Sequence, residues 1–145
     1  MTQSGIGAAS ETYVAALSSL DFDDDTLKAK AEVYKTKGNE AYLKEDYSNA
    51  IYFYTEGIKV NCKDQDLKAK LYSNRAYANL RFGNYINSLE DAREATDMRP
   101  LSVKPIIAGA KALTRLNLFK LAITWCDRGL AVSFCSLHSC IMIKR

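Results

Sequence analysis

Between Ala31 and Val132 one pattern of side-chain sizes is written three times. Placed in register, Tyr34, Tyr72 and Ile106 are large, and Gly38, Ala76 and Ala110 are small. Tyr47, Tyr85 and Phe119 are aromatic, and both Ala50, Ser88, Ala122 and Gly57, Ala95, Gly129 are small again. The second and third copies lie 34 residues apart (Tyr72 to Ile106), the first and second 38 (Tyr34 to Tyr72). A period of this length marks helix-turn-helix units that cannot bury their apolar faces alone and must stack. The four extra residues fall in the polar stretch Asn61–Asp66, between units, where an insertion costs little closure entropy and leaves each unit's internal spacing intact.

Each copy reads as two antiparallel helices. In the first, Tyr34, Gly38 and Ala41 share one face at helical spacing, and Ala50, Phe53, Tyr54, Gly57 and Ile58 do so after the charged turn Lys44-Glu45-Asp46. The small residues admit a close partner helix, and the tyrosines fill the space beside them. In the second copy Phe82-Gly83-Asn84 supplies the turn, with Gly83 placed to take the positive φ that ends a helix, and Arg99-Pro100 closes the unit. No strand alternation competes. The expected fold is all-α, a right-handed α-solenoid of three helix-turn-helix repeats. Asp24 or Asp25 is expected to cap a helix starting near Thr26.

With 145 residues and 48% apolar content the chain is one domain with enough apolar mass for a packed array. Twenty basic residues interleave with seventeen acidic ones, for a net charge of +3, which argues against a nucleic-acid partner and against a polybasic membrane patch. No Lys or Arg precedes Lys28, so neither a secretory signal nor a transit peptide is expected, and the chain is assigned to the cytoplasm, with the nucleus as a second location. The uncharged run Leu130–Ile143 is shorter than the roughly 20 residues a membrane span requires.

Four cysteines in a reducing compartment are expected to stay reduced. Cys126 stands where the other copies have Tyr54 and Ala92, so it reads as a small core residue. Cys126, Cys135, His138 and Cys140 match no common structural zinc spacing, and no metal and no cofactor are expected. The acidic run Asp21, Asp23, Asp24, Asp25 lacks the glycine and distal glutamate of a calcium loop. The glycines form no phosphate-cradling loop, and His138 has no acid partner at motif spacing. The chain is therefore expected not to be an enzyme.

What remains is a groove. The first helices of stacked units line a concave face. Lys35 and Asn39, four apart, project from one face of the first such helix. Asn74 lies on the second, and Lys104 starts the third. Two ammonium groups and two amides from three helices suit a ligand with closely spaced carboxylates, such as a chain end whose last residue is aspartate.

The stretches Lys35-Thr36-Lys37-Gly38-Asn39-Glu40-Ala41, Leu71-Tyr72-Ser73-Asn74-Arg75-Ala76 and Arg99-Pro100 followed by Lys104 resemble the carboxylate-clamp tetratricopeptide domains of chaperone cofactors. Tyr34 to Asn39, Asp46-Tyr47, Tyr54-Thr55-Glu56-Gly57 and Trp125-Cys126-Asp127-x-Gly129-Leu130 most resemble the tetratricopeptide repeat protein 4 family among them. The likeness covers roughly residues 15 to 131. It implies a co-chaperone adaptor that binds the acidic C-terminal Glu-Glu-Val-Asp tails of heat-shock protein 90 and heat-shock protein 70. The peptide carboxylates would be held by Lys35, Asn39, Asn74 and Lys104.

The family's clamp also uses an arginine where this chain has Ala108. Lys111, seven residues after Lys104 on nearly the same face, is expected to replace part of that charge as a point charge rather than a planar fork. The alternative is a tetratricopeptide scaffold that takes a different peptide because position 108 is alanine. A rival of another class is an enzyme fragment, since such repeats also occur fused to phosphatases and prolyl isomerases. Pro105 is tolerated because it falls in the first turn of its helix.

Three segments are expected: an N-terminal extension over 1–27 with a Gly/Ser-rich start and a short helix at Glu11–Leu20, a three-repeat domain over 28–132, and an atypical apolar, Cys-rich tail over 133–145. The resemblance implies a further helix and a C-terminal domain after the third unit, so a truncated or alternatively spliced product is expected here. An uncapped third repeat would expose apolar surface and promote self-association.

Overall fold

In the computed structural model the chain is described over residues 23–143, with side chains over residues 23–133. The helix expected at Glu11–Leu20 and the side chains of Cys135, His138 and Cys140 lie outside the described residues. Among the described residues six helices follow one another: α1 (Asp24–Leu43), α2 (Tyr47–Lys59), α3 (Gln65–Phe82), α4 (Tyr85–Met98), α5 (Val103–Arg115) and α6 (Phe119–Ile143). They pack as three antiparallel hairpins, α1 on α2, α3 on α4 and α5 on α6, with α2 against α3 and α4 against α5 joining the hairpins. α1 also touches α3, and α3 touches α5, so the first helices of the three units form one side of an all-α solenoid.

The three hairpin turns are built alike. Glu45 (φ 60°), Gly83 (φ 100°) and Asn117 (φ 60°) take the left-handed conformation at equivalent positions. The next residue's amide then reaches back five residues, from Asp46 to Ala41, Asn84 to Asn79 and Leu118 to Leu113, each at 2.9 Å. This is the backbone arrangement that satisfies the last carbonyls of a helix before the chain reverses. Only Gly83 does so without a Cβ penalty. The turns expected at residues 44–46 and 82–84 fall where the sequence placed them, and Pro105 sits buried in the first turn of α5.

Packing follows the small-residue pattern. A Cβ on Gly38 would lie 2.4 Å from the Tyr54 ring, so α1 and α2 meet at a distance only glycine permits. Ala76, Ala92 and Ala108 are fully buried together where α3, α4 and α5 converge, with Tyr77 and Trp125 against them. Within the second hairpin Arg75 on α3 forms a bidentate pair with Asp91 on α4, Nε to Oδ2 at 2.9 Å and Nη2 to Oδ1 at 2.7 Å. Arg75 Nη1 also donates to Thr55 Oγ1 at 3.0 Å, and Asn79 Nδ2 donates to Asp91 Oδ2 at 3.0 Å. That network ties α2, α3 and α4 together.

The inserted connection between the first two units is anchored rather than loose. Cys62 is buried in the first core cluster, the Lys63 amide donates to Asp24 Oδ1 at 2.8 Å, and Asp64 pairs with Lys28 at 2.8 Å while capping α3 through the Leu67 amide. The hydrogen bond from Lys28 holds the Asp64 carboxyl below the usual carboxylate range.

Three expectations need correction or extension. The first helix begins at Asp24, not near Thr26, and its N-cap is Asp23, whose carbonyl accepts from the Thr26 and Leu27 amides. Asp24 and Asp25 occupy the first turn, where their charge complements the helix dipole, and the Asp24 carboxylate is engaged by the Lys63 amide instead of forming a cap. Cys126 is exposed rather than in the core. Its equivalents Tyr54 and Ala92 are buried, because another hairpin lies beyond each of them and none stacks on α6 among the described residues. The backbone of α6 runs on as helix through the boundary drawn at Val132. Leu121, Ile123 and Leu130 are exposed on it. Among the described residues no helix is long and apolar enough to cross a membrane.

Candidate peptide-binding groove

α1 carries Lys35 and Asn39, α3 carries Asn74, and α5 carries Lys104, the three helices that touch one another in sequence along one side of the array. Asn39, Asn74 and Lys104 are joined by hydrogen bonds across the helices. Lys104 Nζ donates to Asn74 Oδ1 at 2.7 Å, Asn74 Nδ2 donates to Asn39 Oδ1 at 3.0 Å, and Tyr54 Oη donates to the same Asn39 oxygen at 2.7 Å.

The direction of this chain is forced by its cation. An ammonium group only donates, so Asn74 must turn its oxygen to Lys104 and its nitrogen to Asn39. Asn39 must then turn its oxygen inward, and the Tyr54 hydroxyl facing that oxygen must be a donor. Burial pushes the Tyr54 phenol up to about 12, so it keeps its proton at physiological pH. The consequence is that the Asn39 NH2 group, an N–H of Asn74 and the remaining protons of Lys104 are left for a ligand. All are donors. A site wired this way accepts carboxylate oxygens and repels cations.

Lys104 is held from several sides. Its Nζ lies 5.6 Å from the centroid of the Tyr77 ring, and Tyr77 Oη donates to the Lys104 carbonyl at 3.2 Å. The side chain keeps a solvent-exposed flank, but its ammonium is drawn among Asn74 and Tyr77, and that desolvation pulls its pKa below the usual lysine value. Lys35 is engaged differently, in an ion pair with Glu32 one turn earlier on α1. A ligand carboxylate would have to replace Glu32 there.

Lys111 is on the Lys104 side of α5 but not beside it. Seven residues of helix put it about 10 Å further along the axis, where it lines a separate hollow with Arg81, Ile107 and Arg115. Ala108 faces the buried alanines of α3 and α4, so the methyl at the position of the family's clamp arginine closes core packing.

Sequence reasoning missed two residues beside the clamp. Lys70 and Ser73 line the same hollow as Asn74 and Lys104. The signal for Lys70 was available: it stands 34 residues before Lys104 and 38 after Glu32, the same register position in all three units.

Tyr54→Phe isolates the hydroxyl, because the ring that packs against Gly38 is retained. Losing one donor to Asn39 is expected to weaken binding of an acidic peptide by roughly threefold to tenfold. Titration of the variant, with its melting temperature as the control for folding, checks this.

No protein-family model matches the chain. Human tetratricopeptide repeat protein 4 is 40% identical over 120 residues, covering 82% of this chain and 31% of that protein, so the chain spans under a third of this curated relative. Among solved structures, the TPR2B domain of yeast Sti1 in complex with an Hsp70 peptide superposes with a TM-score of 0.66 at 30% identity, over 72% of this chain and 80% of that one. The second TPR domain of Spaghetti (RPAP3), bound to the HSP90 peptide SRMEEVD, gives a TM-score of 0.65 at 26% identity, over 71% of this chain and 92% of that one.

Proposed function

Because this chain belongs to the tetratricopeptide repeat family and is related to tetratricopeptide repeat protein 4 along 82% of its length, we propose that it is a co-chaperone adaptor. Its groove takes the acidic C-terminal Glu-Glu-Val-Asp peptide of heat-shock proteins 90 and 70. The observation that carries this reading is the hydrogen-bond chain from Lys104 through Asn74 to Asn39, which leaves only donors facing a ligand. Residues 28–132 form the working module, and Lys35, Asn39, Asn74 and Lys104 hold the terminal carboxylates. Lys111, two turns along α5, meets an acidic residue further up the peptide. The adaptor works in the cytoplasm, by binding rather than catalysis.

Titration with a Glu-Glu-Val-Asp peptide tests it. Saturable binding that weakens steadily as salt rises is expected, since the Lys35 and Lys104 contacts are between opposite charges with part of their surface in water. The buried alanine at position 108 favours a second reading, a groove that takes another peptide. In that case the Glu-Glu-Val-Asp peptide shows no saturable binding at any salt concentration. The apolar outer side of α6, where Ile123 and Leu130 are exposed, supports self-association, which sedimentation velocity across a concentration series reads.

A further inference from the structure

The third hairpin holds a hollow of about 880 Å³ between α5 and α6, bordered by the end of α3. Val103, Ile107 and Leu130 make part of it apolar. Ile107 is 41% exposed and Leu130 68%. The repeat register puts Ile58 and Thr96 at the Leu130 position of the earlier units. There Thr96 is fully buried and Ile58 packs against the first core cluster. Each earlier hairpin has the next one stacked on it, whereas among the described residues nothing covers the third.

The lining is also cationic. Arg81, Lys111 and Arg115 belong to it, and no acidic residue does. Among the described residues neither Lys111 nor Arg115 forms an ion pair. Two copies pressed together through this same face would set like charges against each other, which disfavours a symmetric pairing. The occupant that fits is apolar and acidic.

The sequence holds such a stretch. Over Glu11–Leu20, outside the described residues, Tyr13, Val14, Leu17 and Leu20 fall on one face at helical spacing. Glu11 precedes them, Asp21 follows, and no Lys or Arg occurs before Lys28. An amphipathic segment of this kind lays its apolar face into a groove. Its own hollow is out of reach. α3 stands between α1, which begins at Asp24, and α5, a separation of roughly 16–20 Å at ordinary helix spacing. From Leu20 to Asp23 the chain extends about 10 Å at most. The four apolar residues therefore meet such a hollow together only on another molecule.

We propose that the hollow seats the Glu11–Leu20 segment of a second copy of this chain. Tyr13, Val14, Leu17 and Leu20 lie against Ile107 and Leu130, and the flanking acids face Lys111 and Arg115. The contact is head-to-tail, joining the start of one molecule to the third hairpin of the next, so it builds rings or open chains of copies. The proposal rests on the self-association read above and names its two surfaces.

Sedimentation velocity across a concentration series tests it on the full chain. The unaltered chain is expected to grow in size with concentration. Leu17→Asp, Ile107→Asp and Arg115→Glu should each move that growth to at least about tenfold higher concentration. Mixing is the sharper arm, because Leu17→Asp keeps an intact hollow and Ile107→Asp an intact segment. An equimolar mixture of the two should form a one-to-one dimer and stop there, at concentrations where neither associates alone. Melting temperatures show that the variants fold, and Arg115→Glu, at an exposed position, replaces Ile107→Asp in the mixture if the latter does not. Variants that associate as strongly as the unaltered chain refute this seat and leave self-association to another surface. A mixture that stays monomeric refutes the head-to-tail contact. An unaltered chain that is monomeric at every concentration refutes self-association as well. None of these readings uses the Glu-Glu-Val-Asp peptide, so failure of the clamp leaves them intact.

Discussion

Lys104→Ala is expected to weaken binding of a Glu-Glu-Val-Asp peptide by about tenfold to a hundredfold, the range set by losing one hydrogen bond from a charged donor. The loss should lie toward the upper end, because Lys104 does two things. In the proposed clamp it offers an ammonium to the ligand, and it fixes the Asn74 amide by donating to Oδ1 at 2.7 Å. Without it the Asn74 amide is free to turn its oxygen outward, toward an incoming carboxylate, and the enforced direction of the chain to Asn39 is lost. Lys35→Ala should cost less. That ammonium is already paired with Glu32, so part of its attraction for a ligand is offset by the contact it gives up. In both variants the slope of affinity against salt should be shallower than in the unaltered chain. Titration calorimetry at several salt concentrations checks the order, and Lys104→Ala binding as tightly as Lys35→Ala would show that Lys104 does not orient the Asn74 amide.

The second large effect is on stability. Asp91 is 5% exposed and accepts from both Arg75 and Asn79. Asp91→Ala leaves a partly buried guanidinium and an amide without their acceptor at the junction of α2, α3 and α4. Removing one member of such a pair costs about 3 kcal/mol, which for a domain of this size lowers the melting temperature by about 10 °C. Asp91→Leu combined with Arg75→Met should recover only part of that loss, since the apolar pair needs no partners while the buried Asn79 amide still lacks its acceptor. Thermal unfolding followed by circular dichroism reads all three proteins. A single variant that melts within about 3 °C of the parent would show that solvent reaches this network.

Much of this architecture could be read from the chain because the repeat fixes register. Once Tyr34, Tyr72 and Ile106 were aligned, the turns at Glu45 and Gly83 followed from local chemistry, and so did the pairing of Gly38 with a large side chain. Convergence of Asn39, Asn74 and Lys104 was legible for the same reason, as equivalent faces of stacked helices meet. The failures have separate physical causes. A run of aspartates from Asp23 to Asp25 offers several cap candidates to sequence reasoning, and in the structure the Asp24 carboxylate is taken by the Lys63 amide, which arrives from a loop distant in sequence. Cys126 has the periodicity of a core residue, but periodicity reports only a face. Whether that face is covered depends on a further hairpin stacking against it, which the spacing within one helix does not encode. Lys111 is a different case: its seven-residue spacing from Lys104 already gave both the shared face and the two-turn separation along the helix.

Recognition of a chain end is the central claim, and C-terminal amidation tests it most directly. Two Glu-Glu-Val-Asp peptides, identical except that one carries a free α-carboxylate and the other a carboxamide, are titrated into the same protein. The free acid is predicted to bind at least about tenfold more tightly, because amidation removes the group that the donors of Lys35, Asn39 and Asn74 hold in the proposed clamp. Equal affinities would contradict it, since a groove indifferent to the terminal carboxylate is not a clamp.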